Sequence, residues 1–406
     1  MKLFNDTTPK KILLTGARNP MTMVLARLLK QSGHTVFLMD NLRFAFSRFS
    51  NAIEKYFRAP APIDDPEKFV NYLLEIIQKN KIDLLIPTNE EIFYIAQYKD
   101  LLSRYCQVIS DDFNKIKSLH HKYDLIEIVK DHEISVPKSF LVQSIEGALK
   151  FDGTYLFKPI YSRFADKVLI SATNKTLKKL KYPCVAQKII KGKEISSFSI
   201  AYNGRVTAHV VYEHPYNLGK GSGIYLIKTI NEKIEAFAKS ICHTMDYSGL
   251  IGFDYIIDDM KNIYLIDCNP RLTSGIHFFN QKDQLLEAFL GISLTIKKGS
   301  VEKNQMNGLT LVTIHGLKSF LNGKLFKFLK NVFQSKDIIF DRKDPLPFFA
   351  QILTLIEFFW ISIVRKIPLK EAFYIGNAWN GQWERVVSPD QNISPSDSQI
   401  MSLEET

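Results

Sequence analysis

Gly252-Phe-Asp-Tyr255 and Tyr264-Leu-Ile-Asp-Cys-Asn-Pro-Arg271 lie in two apolar runs joined by Asp258-Asp-Met-Lys261. That length and turn chemistry predict a β-hairpin. Residues two apart on a strand point to the same face, so Asp267 and Asn269 project together. An antiparallel neighbour can bring Asp254 beside them. Two carboxylates and an amide oxygen make a hard-oxygen set suited to Mg²⁺. Arg271 carries a planar fork that matches phosphate or carboxylate. The same polar residues at strand ends can also simply cap a turn, and the hairpin alone leaves both readings open.

Two segments upstream bear on the choice. Tyr155-Leu-Phe-Lys-Pro159 places Lys158 inside an apolar strand, where a charge needs a partner because burying it unpaired is costly. Val185-Ala-Gln-Lys-Ile-Ile-Lys-Gly-Lys-Glu194 is an apolar strand running through Gly192 to an acid. Backbone groups near 188 to 190 can read an adenine edge, with Glu194 accepting from ribose hydroxyls. As a lone pattern, strand-turn-strand is common and needs no ligand.

Lys11-Ile-Leu-Leu-Thr-Gly16, an amphipathic stretch from Met21 to Ser32, and Gly33-His-Thr-Val-Phe-Leu-Met-Asp40 follow a strand-helix-strand rhythm. A helix over 69–79 and the strand Ile82-Asp-Leu-Leu-Ile-Pro-Thr-Asn-Glu-Glu91 extend it. The fold class expected is α/β, with an open parallel sheet in residues 1–112. Helix is expected from 113 to 135. Strands are expected at 154–159, 168–171, 183–190, 194–202 and 206–212, and a helix over 237–245. A helical extension follows over 296–387, and the Ser/Pro/Asp/Gln-rich stretch 388–406 reads as disordered.

Taken in order, these motifs resemble the ATP-grasp superfamily. The matching positions are Lys122 in His120-His-Lys-Tyr123, Lys158, Gln187 through Lys188, Ile189 and Ile190 to Glu194, and Asp254 with Asp267, Asn269 and Arg271. The two aspartates are thirteen residues apart, as in D-alanine–D-alanine ligases. Leu265-Ile-Asp-Cys-Asn-Pro-Arg271 is most similar to carbamoyl-phosphate synthetase large-subunit domains. Thr15-Gly-Ala-Arg18 and Ile86-Pro-Thr-Asn-Glu-Glu91 are similar to the family's pre-ATP-grasp domain.

The resemblance implies a pre-ATP-grasp domain over 1–112 and a two-lobed α+β ATP-grasp domain over 113–295. It also implies ATP with Mg²⁺ (or Mn²⁺) as cofactors and ligation of a carboxylate to an amine or similar nucleophile through an acylphosphate. Lys122, Lys158, Gln187, Lys188, Ile189, Ile190 and Glu194 would bind nucleotide. Asp254, Asp267 and Asn269 would bind metal, and Arg271 would act in catalysis.

Two departures stand out. Ile160-Tyr-Ser-Arg-Phe-Ala-Asp166 has no glycine where the family carries a glycine-rich phosphate loop, so Ser162 and Arg163 are the substitutes on offer. Asp267 also replaces the usual glutamate. Both keep open a non-catalytic ATP-binding protein, beside a bicarbonate- or carbamate-activating enzyme. Dinucleotide oxidoreduction fits less well. Gly16-Ala-Arg-Asn-Pro20 lacks the second glycine, although Asp40 ends the second strand where a ribose-binding acid sits.

The chain has 406 residues, 46% of them hydrophobic, enough for several packed domains and against wholesale disorder. Cys106, Cys184, Cys242 and Cys268 form no C-x-x-C pair, which argues for a reducing compartment. No apolar leader follows Met1. A cytoplasmic location is expected. The net charge of +11 suits anionic partners, yet the basic residues form no tract, so nucleic acid is not expected. Small-molecule substrates, and a homodimer as an option, remain. Asn217-Leu-Gly-Lys-Gly-Ser-Gly223 reads equally as a lid or as a surface turn.

Pro347 to Val364 is very apolar. It is expected to form a helix packed on the protein core, ahead of a dimer or membrane-surface contact and of a membrane span, because Gln351, Thr354, Glu357 and Ser362 fall on one stripe about 140° wide. Phe340-Asp-Arg-Lys-Asp-Pro345 and Trp379-Asn-Gly-Gln-Trp383 are read as docking segments for that helix.

Overall fold

The computed structural model describes residues 8–161, 168–170, 172–218, 222–316, 325–381 and 383–385. Ser162 and Arg163, the glycines and lysine at 219–221, and the tail from 388 onward lie outside them.

The first sheet is wholly parallel, with strand order β3-β2-β1-β4-β5. Its strands are β1 (Lys11–Thr15), β2 (Thr35–Asp40), β3 (Lys55–Arg58), β4 (Leu84–Ile86) and β5 (Gln107–Val108). β1 reads as a continuous apolar run because both faces are covered. Ile12 and Leu14 pack with Leu25 and Leu29 of α1 (Pro20–Gln31). Leu13 packs with Phe69 and Leu73 of α2 (Pro66–Asn80) on the other side. The expected open α/β unit is therefore present.

A three-stranded antiparallel sheet follows, built from β6 (Ser139–Val142), β7 (Tyr155–Pro159) and β8 (Cys184–Lys188) in the order β6-β8-β7. Of the expected strand 168–171, the described residues 168–170 form no strand, and Leu169 makes an isolated bridge to Phe157. The third sheet has seven strands. They are β9 (Lys193–Tyr202), β10 (Arg205–Leu218), β11 (Ser222–Thr229), β12 (Gly249–Ile257), β13 (Ile263–Asn269), β14 (Gln305–Met306) and β15 (Lys336–Asp337). β12 and β13 are the predicted hairpin, and β9 continues the sheet beyond β12. β10 runs past the expected 206–212, and β11, for which no strand was expected, pairs antiparallel with it.

The helical stretch expected from 113 to 135 is two helices, α3 (Phe113–His120) and α4 (Asp124–Val129). The break between them carries Lys122, whose amide donates to the Ile160 carbonyl at 3.2 Å. Lys122 thereby faces the sheets instead of following a helix surface. Helix α5 (Glu232–Thr244) covers β12 through Phe237 and Ile241.

Helix α6 (Leu346–Arg365) is the one among the described residues long and apolar enough to cross a membrane by length and composition. Core packing, as expected for it, holds for one face only: 22% of its most apolar window is buried. The buried positions are Pro347, Ala350, Thr354 and Phe358. The two docking segments fare differently: Phe340 packs edge-on against Phe348 of α6 with ring centroids 5.4 Å apart, as expected of 340–345. Arg27 of α1 binds Asp344, with Nε to Oδ2 at 2.9 Å, which ties 340–345 to the first unit. Trp379 stacks on Phe93 with ring centroids 4.7 Å apart, away from α6.

Candidate functional site

The hairpin register sets Asp254 opposite Asp267 and Gly252 opposite Asn269. A bulge follows Asp254, the local irregularity that lets neighbouring polar side chains share one face. Asn269 Nδ2 donates to Asp254 Oδ2 at 2.9 Å, and Ser196 Oγ of β9 donates to Asp254 Oδ1 at 2.7 Å. Lys122 Nζ donates to Asp267 Oδ1 at 2.9 Å and to Oδ2 at 2.8 Å. Arg271 donates through Nη2 to Asn269 Oδ1 at 3.0 Å, and its Nε lies 4.0 Å from Glu90 Oε1.

Lys158 is buried on β7. It donates to Gln187 Oε1 and to the Ile266 carbonyl, both at 3.0 Å. Two of the three sheets thus meet at its ammonium. Burial pulls the Lys158 pKa down to about 8, only partly offset by the Asp267 charge. For Asp267, burial acts upward, but the Lys122 and Lys158 cations outweigh it and hold the carboxyl below its usual range. Asp254 moves the other way, raised by burial and by the Asp267 charge against the Ser196 hydrogen bond. One aspartate is held as the anion and the other is pushed toward its neutral form.

All eleven residues singled out from the sequence line one cavity of about 500 Å³: Lys122, Lys158, Gln187, Lys188, Ile189, Ile190, Glu194, Asp254, Asp267, Asn269 and Arg271. Its remaining wall is largely apolar and includes Leu156, Ile170 and Ile256. The backbone amides of Lys188 and Ile189 are not open to a ligand. They donate to the carbonyls of Lys138 and Thr154, both at 2.8 Å. Gly192 makes the close approach that glycine permits, since a Cβ there would lie 2.2 Å from the Ile257 carbonyl oxygen. Glu194 is exposed at the rim, where Asn217 Nδ2 donates to it at 3.0 Å.

A second cavity of about 520 Å³ shares Met21, Gly223, Leu226 and Ser274 with the first. Phe358, Phe373 and Tyr374 of the C-terminal segment close its far side.

Among the described residues, no group of three or more His, Cys, Asp or Glu side chains is placed to hold a metal. The oxygen set is the two aspartates and Asn269. It fits a hard divalent cation in chemistry, because Asp267 already gathers a cationic group on both of its oxygens.

Several contributors were not read from the sequence. Ser196 holds Asp254, His214 Nε2 lies 3.1 Å from Ser196 Oγ, and Glu90 faces Arg271. Ser196 could have been found from strand alternation, since Glu194 and Ser196 share a face. Asp40, the ribose-binding candidate, is buried in an ion pair with Arg18 and is not available to a dinucleotide.

A protein-family model described as an ATP-grasp domain matches residues 119–275. An uncharacterized protein of Methanocaldococcus jannaschii is 25% identical over 215 residues, covering 50% of this chain and 53% of that protein. The carbamoyl phosphate synthase large chain of Clostridium acetobutylicum is 22% identical over 273 residues, covering 61% of this chain and 24% of that one. The chain therefore spans about half of the first relative's length and a quarter of the second's. Among solved structures, the N5-carboxyaminoimidazole synthetase of Staphylococcus aureus complexed with ADP superposes with a TM-score of 0.58 at 18% identity. That superposition covers 79% of this chain and 89% of the other.

Proposed function

Because the chain carries an ATP-grasp domain over residues 119–275, we propose that it is an ATP- and Mg²⁺-dependent ligase that activates a carboxylate as an acylphosphate. The observation that supports this reading is the convergence of charge from three separate segments in one cavity: Lys122, Lys158, and Arg271 with the two aspartates. In this reading residues 1–112 precede the ATP-binding unit 113–295, and 296–387 extend it.

The nucleotide's base lies against the apolar wall near Leu156 and Ile256, and Glu194 accepts from the ribose. Lys122 and Lys158 hold the phosphates. Asp254, Asp267 and Asn269 would hold Mg²⁺, which supplies charge neutralisation at the phosphates when bound. A substrate carboxylate oxygen forms a bond to the γ-phosphorus as the bond from that phosphorus to the β–γ bridging oxygen breaks, and ADP leaves. The nucleophile's lone pair then attacks the acyl carbon, phosphate departs with the bonding electrons, and the nucleophile loses its proton. Such chemistry asks for positioning and charge stabilisation rather than a nucleophilic side chain. In this reading Arg271 steadies the transferring phosphoryl group. The adjoining cavity, bounded by Met21, Ser274 and Phe373, is the place for the carboxylate substrate.

The test is ADP release measured against amino acids, other carboxylates and bicarbonate. Stimulation by a carboxylic acid supports the ligase. Stimulation by bicarbonate alone moves the protein to the bicarbonate-activating class. Tight nucleotide binding with no turnover under any of them overturns the enzyme reading.

A further inference from the structure

Helix α6 is amphipathic in the reverse sense for a water-soluble surface helix. Its polar residues face the protein. Thr354 Oγ1 donates to the Phe44 carbonyl at 2.6 Å, and Ser362 Oγ donates to the Ile367 carbonyl at 2.6 Å. Glu357 accepts from the backbone amides of Arg43 and Phe44, both at 2.7 Å, so its charge is turned inward.

The outer face is different. Every exposed residue from Pro345 to Val364 is apolar, and ten of them are large. Phe349, Ile352, Ile356, Phe359, Trp360 and Ile363 form its centre, with Trp360 66% and Ile363 70% exposed. At 100° per residue the six central positions fall within an arc of about 100° and all ten within about 180°, along a helix of about 30 Å. A ridge of that size exceeds the scattered apolar residues normal on a soluble surface and marks an interaction site.

Charge selects the occupant. The exposed charged residues flanking the ridge on α6 and its approaches are all basic: Arg342 and Lys343 before it, Arg365 and Lys366 after it. Asp344 is buried on Arg27, and among the described residues Arg365 is the one of the four paired to an acid, Asp64. Two copies meeting through this ridge, parallel or antiparallel, would bring basic ends against basic ends. An anionic lipid surface meets both ends favourably and covers the apolar arc. We infer that α6 seats this protein on an anionic membrane surface, lying in the interface with its polar side still bound to the first sheet unit. This geometry matches interfacial helices, whose binding combines buried apolar area with attraction to anionic lipids.

Flotation of the full chain with vesicles tests it. Vesicles of equal phosphatidylcholine and phosphatidylglycerol are expected to carry the protein upward, and vesicles of phosphatidylcholine alone to carry much less. High salt should weaken the binding. The double variant Phe349→Glu/Trp360→Glu should lose binding by about tenfold or more, with nucleotide affinity unchanged. Should that variant fail to fold, Arg342→Glu/Lys343→Glu, which leaves the ridge intact, should still reduce capture by the anionic vesicles. Absence of flotation overturns the inference. So does a stable dimer in sedimentation velocity that the ridge variant turns into monomer, and so does retention on membranes after alkaline wash, which would mean a span.

Discussion

The Lys122 ammonium lies within 2.9 Å of both carboxylate oxygens of Asp267, across 145 positions of sequence. The pair joins the break between α3 and α4 to the end of the hairpin. It also helps separate the two aspartates: Asp267 has a lysine on both oxygens, whereas burial and the Asp267 charge raise Asp254 against the Ser196 hydrogen bond and the more distant His214 and Arg271. Removing Asp267 outright would strand a lysine that is almost wholly buried, so the informative change is Asp267→Asn. That variant is expected to stay folded and to lose turnover by at least about a hundredfold. Near-normal ADP release would remove Asp267 from the site.

The partner variant probes the metal without assaying turnover. Lys122→Met takes away one of the two cations that hold the Asp267 carboxylate and leaves Lys158, a loss expected to cost on the order of 1–3 kcal/mol. A divalent cation can then replace the missing charge. Mg²⁺ should therefore raise the Tm of Lys122→Met by more than it raises that of the unaltered protein. An equal response in both proteins would mean that these carboxylates do not receive the ion.

With Lys158 on the phosphates as proposed, nucleotide binding is expected to be proton-linked. Burial brings its pKa down to about 8, against an ordinary 10.5. Below pH 8 the lysine is charged in both folded and unfolded chains, and the burial cost is fully present. Between 8 and 10.5 the unfolded chain holds more protons, so the Lys158 contribution to stability rises with pH. Nucleotide affinity runs the other way. Phosphate favours the ammonium, so affinity should fall above about pH 8 and binding should take up a proton there. Calorimetry at pH 8.5 in buffers of different ionisation enthalpy reads that uptake directly. In Lys158→Ala, affinity should drop by about tenfold or more and the proton uptake should vanish. Persistent uptake in that variant would assign the linkage elsewhere.

Much of this was legible beforehand. β1, β2 and the hairpin carry their pattern locally, as unbroken apolar runs ended by glycine or by turn residues. Seven of the eleven candidate residues, Lys158, Gln187, Lys188, Glu194, Asp254, Asp267 and Asn269, sit on strands that the local apolar pattern announces. What local pattern does not contain is pairing over long separation. The approach of Glu90 to Arg271, the use of Asp40 by Arg18 and the short strands β14 and β15 depend on tertiary neighbours. The orientation of α6 shows the same limit. Its polar stripe was visible at helical spacing, but the sequence could not tell whether that stripe faces water or Phe44.

Gly192 sits where the chain passes from β8 to β9 along the cavity. An added Cβ meets backbone, the Ile257 carbonyl oxygen at 2.2 Å, which cannot swing away as a side chain could. Gly192→Ala is expected to cost about 1–3 kcal/mol through forced backbone displacement. It should weaken nucleotide binding as well, because Ile190 and Glu194 move with the segment. Urea unfolding together with nucleotide titration checks both, and an alanine variant unchanged in each would mean the crossing has slack.

Asp344 anchors the C-terminal segment to the first unit. Its Oδ2 accepts from Arg27 Nε at 2.9 Å and from Ser50 Oγ at 2.5 Å, and its Oδ1 accepts from the Asn51 amide at 2.9 Å. Arg27 also donates to the Ile339 carbonyl at 2.9 Å, so one buried guanidinium gathers several groups of 339–344. Asp344→Ala leaves that cation without its counter-charge, at an expected cost of about 3–5 kcal/mol. Asp344→Asn keeps an acceptor for the Asn51 amide and should cost less. The segment bearing α6 should then open before the rest of the protein, seen as faster proteolysis between 340 and 366 at denaturant concentrations where the first sheet persists. A loss under about 1 kcal/mol in Asp344→Ala, with unchanged cleavage, would mean that the apolar contacts of Phe358 and Ala350 hold the segment by themselves.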